Sequence, residues 1–144
     1  MISRWKTVVA SASFIVGMLF VGARAQTHDH SAHGGHEATQ PLRSALIDCV
    51  AKGRECVTHC LDLIASGDTS IVACALQVGE LNAVCYALHF LAVANSPHLT
   101  SIARAARALC AACEKECLVH ARHPQCKACA TACAECVKQI DKLA

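Results

Sequence analysis

Aromatic side chains are scarce in this sequence, with five in 144 residues. Three of them, Trp5, Phe14 and Phe20, fall in the first 20 residues, as do both methionines, Met1 and Met18. Beyond residue 25 the only aromatics are Tyr86 and Phe90. A core there cannot be built on rings, so something else must fill it. Proline occurs three times, at Pro41, Pro97 and Pro124, and so can only punctuate. An excess of one charge is also missing. Residues 26–144 carry ten Lys+Arg against 11 Asp+Glu. That balance excludes the basic patch that nucleic acid or an anionic membrane surface requires. No C-x-x-C-H haem attachment occurs, since Glu114 follows Cys113 and Val137 follows Cys136. No Ser/His/Asp or paired-carboxylate arrangement stands out, so the sequence does not read as an enzyme.

What is plentiful is cysteine and alanine. All 12 cysteines and 23 alanines lie in the 119 residues from Gln26 to Ala144. Cysteine above roughly 8–10% in a short exported chain normally signals a disulfide scaffold. Export is expected from the first 25 residues. Arg4 and Lys6 form a positive start, Thr7 to Gly22 is apolar, and Ala23-Arg24-Ala25 is a small-x-small cleavage site. This is a signal-peptide layout for residues 1–25, too short in its apolar run to span a bilayer comfortably. The mature chain then has no stable membrane span and sits in the periplasm or another extracytoplasmic compartment. Residues 26–40 follow as a disordered tail. Its His28, His30, His33 and His36, set among glycines, read as auxiliary ligands for copper, zinc or nickel.

From residue 41 to 144 no strand alternation appears, and Ala, Leu, Glu and Lys favour helix. Ser66-Gly67-Asp68-Thr69, Asn95-Ser96-Pro97 and Arg122-His123-Pro124 supply stops and caps. They predict helices over Pro41–Ala65, Thr69–Ala94, Pro97–Arg122 and Pro124–Leu143. Four matched helices with short loops imply an all-α fold, an up-down-up-down antiparallel four-helix bundle.

The cysteines then acquire positions. At about 100° per residue, Cys126, Cys129, Cys133 and Cys136 fall within an arc of about 80°. Cys110, Cys113 and Cys117 span about 60°; Cys49, Cys56 and Cys60 about 40°; Cys74 and Cys85 about 20°. Each stripe also carries apolar residues such as Leu46, Leu81 and Ile140, which marks it as the core face. Residues at equal depth in an antiparallel hairpin have a constant sum of numbers. Cys110/Cys136, Cys113/Cys133, Cys117/Cys129 and His120/Cys126 share one sum. Cys60/Cys74 and Cys49/Cys85 share another, which leaves Cys56 opposite Val78. The expected core is lined with sulfur in layers.

Staples do not need four cysteines on one narrow face, and i,i+3 or i,i+4 neighbours are poorly aimed for S–S geometry. A disulfide-stapled structural or interaction protein is therefore the first alternative, and an iron–sulfur or copper electron-transfer protein the second. Thiolate selects Cu(I), zinc or iron–sulfur. Zinc and iron–sulfur sites favour loop-borne cysteines in discrete fours. Cu(I) accepts two thiolates with little geometric demand. The 12 cysteines are thus candidate ligands for multiple Cu(I) ions per chain, between about half and about one per cysteine. His120, on the cysteine stripe, His123, at a hairpin tip, and His89, four residues after Cys85, are the candidate histidine ligands. His59 falls about 60° off its stripe. The tail starts at the end of the bundle that carries His89 and His98, and is expected to pass copper into that end.

The run Cys110–Cys117, continuing through His120 and His123-Pro124-Gln125-Cys126 into Cys126–Cys136, resembles the bacterial copper storage proteins. The resemblance extends over about Leu42 to Leu143. It implies a bundle that stores or buffers Cu(I) in its core, with assembly into tetramers. It also implies a role supplying or sequestering copper, for which a copper-requiring enzyme or chaperone is the expected recipient. Two features depart from the pattern. Arg4-Trp5 is not a twin-arginine leader, and residues 26–144 have no methionine to serve at the bundle mouth.

Overall fold

The computed structural model describes residues 37–143. The leader, the tail histidines His28, His30, His33 and His36, and Ala144 lie outside the described residues. Four α-helices follow one another: α1 Gln40–Ala65, α2 Val72–Val93, α3 Leu99–Val119 and α4 Pro124–Ile140. Single 3-10 turns stand before α2, at Thr69–Ile71, and after α4, at Asp141–Leu143. Among the described residues there is no strand.

The stops act as their chemistry demands. Gly67 ends α1 with φ +98°, a left-handed conformation that glycine adopts without a Cβ clash. Its N–H donates to the Ile64 carbonyl at 2.9 Å, and the Asp68 N–H to Leu63 at 3.0 Å. The Asp68 carboxylate then accepts from the Ser70 N–H at 3.0 Å and begins the next turn. Pro124 fills the first turn of α4, where no N–H is needed, and holds His123 extended at φ −90°, ψ 120°. The second break works differently from the expectation. Asn95 takes φ +48°, His98 caps α3, and the helix proper begins at Leu99 instead of Pro97. Three of the four expected helices are thus trimmed by a few residues into turns.

α1 packs on α2 and α4, and α3 packs on the same two, so the helices enclose one core. At Gly53 a Cβ would collide with the Asn82 side chain, so glycine lets α1 and α2 approach there. The core has two zones. At the end where α1 begins it holds Leu42, Leu46, Leu88, Ala92, Ala103 and Ile140, all buried. From there to the end where α4 begins cysteine predominates, with Leu81, Val78 and Ile71 also fully buried. This is the filling that the shortage of aromatics requires.

Candidate metal centre

All 12 cysteines are free thiols, and each is fully buried. Helical periodicity puts them there, and the bundle joins the four stripes into one column. Four groups of sulfurs lie within 4.8 Å of one another. Nearest the start of α4 is Cys56, Cys60, Cys74 and Cys126. Cys56 belongs also to the next, with Cys117 and Cys129. Cys129 belongs to the third, with Cys113 and Cys133. Cys133 Sγ then reaches Cys49 Sγ at 4.0 Å, and Cys49 belongs to the fourth, with Cys85, Cys110 and Cys136. No cysteine is left out.

The closest sulfur pairs lie at 3.6–3.9 Å: Cys85/Cys110 at 3.6, Cys56/Cys126 and Cys74/Cys117 at 3.7, Cys113/Cys117 at 3.8 and Cys56/Cys74 at 3.9. A metal–thiolate bond is about 2.3 Å, so an ion between two such sulfurs reaches both. The core offers pairs, two trios and two groups of four, with Cys56 and Cys129 as shared members. The shared members suit bridging thiolates on ions with two or three ligands, whereas the layer of Cys49, Cys85, Cys110 and Cys136 shares none and by its count also fits one four-coordinate ion, against the expectation that the sulfurs do not fall in discrete fours.

Burial and crowding set the protonation of the metal-free column. Cys60 is pushed up to about 12 by burial first and then by the charge of Cys74. Burial, then Cys74, also raises Cys126. Cys110 is raised by its hydrogen bonds to Cys136 and Cys49, and Cys133 by those to Cys113 and Cys129. Three sulfurs sit where neighbours donate to them and go the other way. Cys49 is lowered by Cys110, Cys74 to about 3 by Cys117, and Cys129 by Cys113. The raised thiols hold their protons at neutral pH, and those protons must leave as metal arrives.

The equal-depth pairs of the two hairpins meet as the sequence requires. Cys49/Cys85 and Cys110/Cys136 come together as one four-sulfur layer, and Cys60 and Cys74 share a group. Cys56 needs a correction. The count within its hairpin puts Val78 opposite, yet its Sγ lies 3.9 Å from Cys74 and 3.7 Å from Cys126. The second sulfur comes from α4, a helix of the other hairpin, which a single-hairpin count leaves out.

The histidines stand apart from the sulfur groups. His120 is buried, with Nε2 3.5 Å from Glu116 Oε1, and it joins none of the four groups opposite Cys126. His123 Nδ1 lies 3.0 Å from His59 Nε2, and partial burial, then His59 and Arg122, hold its imidazole below the usual value. His59 lies off the α1 stripe, as its angle requires, and that offset carries its ring to the hairpin tip beside His123. His89 Nδ1 is buried without a hydrogen-bond partner, beside Gln40, Arg43 and Ile47 at the other end.

That other end is where the tail joins α1, and there the expected route for copper meets an obstacle. Leu42, Leu46, Leu88 and Ile140 close the core between the chain start and the sulfurs. The sulfur column instead ends at Cys60, Cys74 and Cys126, near the turns that carry His123 and Asp68.

A family model described as copper storage protein matches residues 35–144. Among solved structures, the Cu(I)-bound copper storage protein BsCsp3 is similar, with 29% sequence identity and a TM-score of 0.70. The match covers 74% of this chain and 98% of that one. A comparison with curated protein sequences finds no match.

Proposed function

The chain belongs to the copper storage protein family, and from that premise we propose that its 12 core thiols are the ligands by which it stores many Cu(I) ions. The observation that carries this reading is the unbroken column: 12 buried sulfurs in four groups, linked by Cys56, by Cys129 and by the Cys133–Cys49 contact. A soft monovalent ion with two or three thiolate ligands matches both the spacing and the charge. One Cu(I) per thiolate leaves the core neutral, whereas 12 buried thiolates alone are prohibitively costly. Free thiols within 4.0 Å of one another pack as small apolar groups until metal arrives, so the bundle folds before loading.

The role is storage and buffering, not catalysis. The core is filled by side chains and offers ordinary substrates no room. Copper reaches the column at the His59/His123 end, where His59 adjoins Cys60 in sequence and the two imidazoles meet at 3.0 Å, with Ile71 the aliphatic side chain buried there. His123 and His59 act there as passing ligands, and His120 behind them. The tail histidines, when present, gather copper outside the bundle. Arg4, Lys6, the apolar run and Ala23-Arg24-Ala25 support export of the chain, and a copper-requiring enzyme or chaperone is the fitting recipient.

Copper K-edge absorption of the loaded protein tests the ligand assignment. The expected first shell is sulfur at about 2.2–2.3 Å, with nitrogen a minor component. A nitrogen-dominated shell contradicts thiolate storage in the core.

A further inference from the structure

The donor atoms change character at one end of the molecule. Inside the column every grouped donor is sulfur. At the turns beyond Cys60 and Cys126 the donors are nitrogen and oxygen. His59 Nε2, on α1, and His123 Nδ1, at the start of α4, lie 3.0 Å apart, with ring centroids at 4.8 Å. Arg122 Nε donates to the other nitrogen of His123 at 3.1 Å, which leaves Nδ1 turned to His59. Asp62 lines the same surface groove as His59, and the Asp68 carboxylate is a neighbouring charge for His123. Imidazole and carboxylate suit a borderline ion with tetragonal geometry, which among copper ions is Cu(II). Two bonds of about 2.0 Å at a right angle put their nitrogens ~2.8 Å apart, close to the separation found. The one proton shared between the two rings is the one that a metal ion displaces.

A reductant stands directly behind these rings. His59 precedes Cys60, and His123 is three residues before Cys126. Cys60 and Cys126 share one sulfur group with Cys56 and Cys74. Within it Cys56 and Cys126 lie 3.7 Å apart, on α1 and α4. They are not neighbours on one helix, the case that is poorly aimed for an S–S bond. A bond of about 2.0 Å needs the two sulfurs to close by roughly 1.7 Å.

We propose that this tip is a reductive entry: His59 and His123 take up Cu(II), and the thiols of Cys56 and Cys126 reduce it to the Cu(I) that the column holds. Two Cu(II) ions, arriving in turn, each gain one electron. Both S–H bonds break, one S–S bond forms between Cys56 and Cys126, and two protons leave to solvent at the tip. The step is stoichiometric, with one disulfide for each pair of ions. The change of oxidation state also gives the transfer its direction. Cu(II) suits the nitrogen and oxygen donors outside, and Cu(I) suits the sulfurs next to them, so reduction moves the ion inward. Two of the 12 thiols are consumed, and the other ten remain as ligands. The inference rests on the storage reading for the fate of the Cu(I). It rests on the export reading for the supply of Cu(II), since an extracytoplasmic compartment is oxidising.

Cupric chloride added under argon to the reduced, metal-free full chain tests it. At two Cu(II) per chain the cupric paramagnetic resonance signal is expected to vanish and two thiols to be lost, with the Cys56–Cys126 link found by peptide mapping. His59→Gln and His123→Gln, each checked for folding by helical circular dichroism, are expected to slow the loss of signal at least about tenfold, because removing a ligand costs no less than removing a partner behind one. His98→Gln, on an exposed turn at the other end, is expected to keep the native rate. A cupric signal that persists in the native chain overturns the reductive step. A native rate in both His59→Gln and His123→Gln overturns its place at the tip. A link mapped among Cys49, Cys85, Cys110 and Cys136 overturns the assignment to Cys56 and Cys126. Cu(I) added directly distinguishes this inference from the storage reading. A column that fills with Cu(I) while Cu(II) keeps its signal leaves storage standing and overturns the reduction. Reduction with the link formed, but with the Cu(I) released from the chain, supports the reduction and contradicts storage.

Discussion

Cys56 and Cys129 each belong to two sulfur groups, and every other cysteine to one. Removing a shared ligand therefore disturbs two positions in the column, while removing Cys136 disturbs one. The expected loss of bound Cu(I) per chain in Cys129→Ala is roughly twice that in Cys136→Ala, by titration against a competing chelator. Equal losses contradict shared ligation. His123 sets a different test. Its folded pKa is held below the ordinary 6.5, by partial burial first and then by His59. The unfolded chain thus binds the proton more readily. This contribution to stability is present above pH 6.5 and is lost as pH falls below it. Melting curves of the metal-free protein are expected to shift down on acidification, and less so in His123→Gln. An identical slope in both proteins assigns the acid sensitivity elsewhere.

α1, α3 and α4 each do two jobs along their length, carrying thiols toward one end and aliphatic packing toward the other, whereas α2 interleaves Val78 and Leu81 with Cys74 and Cys85. Leu46, fully buried in α1, belongs to the second job. Leu46→Ala is expected to cost about 2–5 kcal/mol of unfolding free energy, measured in denaturant, with Cu(I) capacity unchanged. A matching fall in capacity argues that the plug and the column are not separate. These elements were largely legible in the sequence. Gly67, Pro124 and the cysteine stripes are local signals, and each acts through its own backbone or its own helix face. The layers within a hairpin were legible too, because a short loop fixes depth. Cys56 was not, because its sulfur partner Cys126 arrives from the other hairpin, and chain order does not give the lateral placement of two hairpins. The pairing of His59 with His123 escaped for the same reason. The start of α3 was misread because Asn95 turns left-handed and consumes Ser96–His98 in a turn, where Pro97 promised a helical first residue.

At the scale of the whole molecule, the described residues form a sleeve of four helices around a column of sulfur, with leucine packed at one end and His59 and His123 at the other. High cysteine content without position is ambiguous between staples and metal; the column favours metal, because all 12 thiols are free and buried and each lies within 4.8 Å of the others in its group. With Cys60 pushed up to about 12, loading must displace protons, so apparent copper affinity falls as pH falls. The central claim is that these thiols, acting together, are the copper store. Its most direct test is an anaerobic Cu(I) titration of the reduced full chain, with free thiols counted at each step. The account predicts about 6–12 ions per chain and the protection of all 12 thiols as the column fills. Saturation at one or two ions with most thiols still reactive would contradict it.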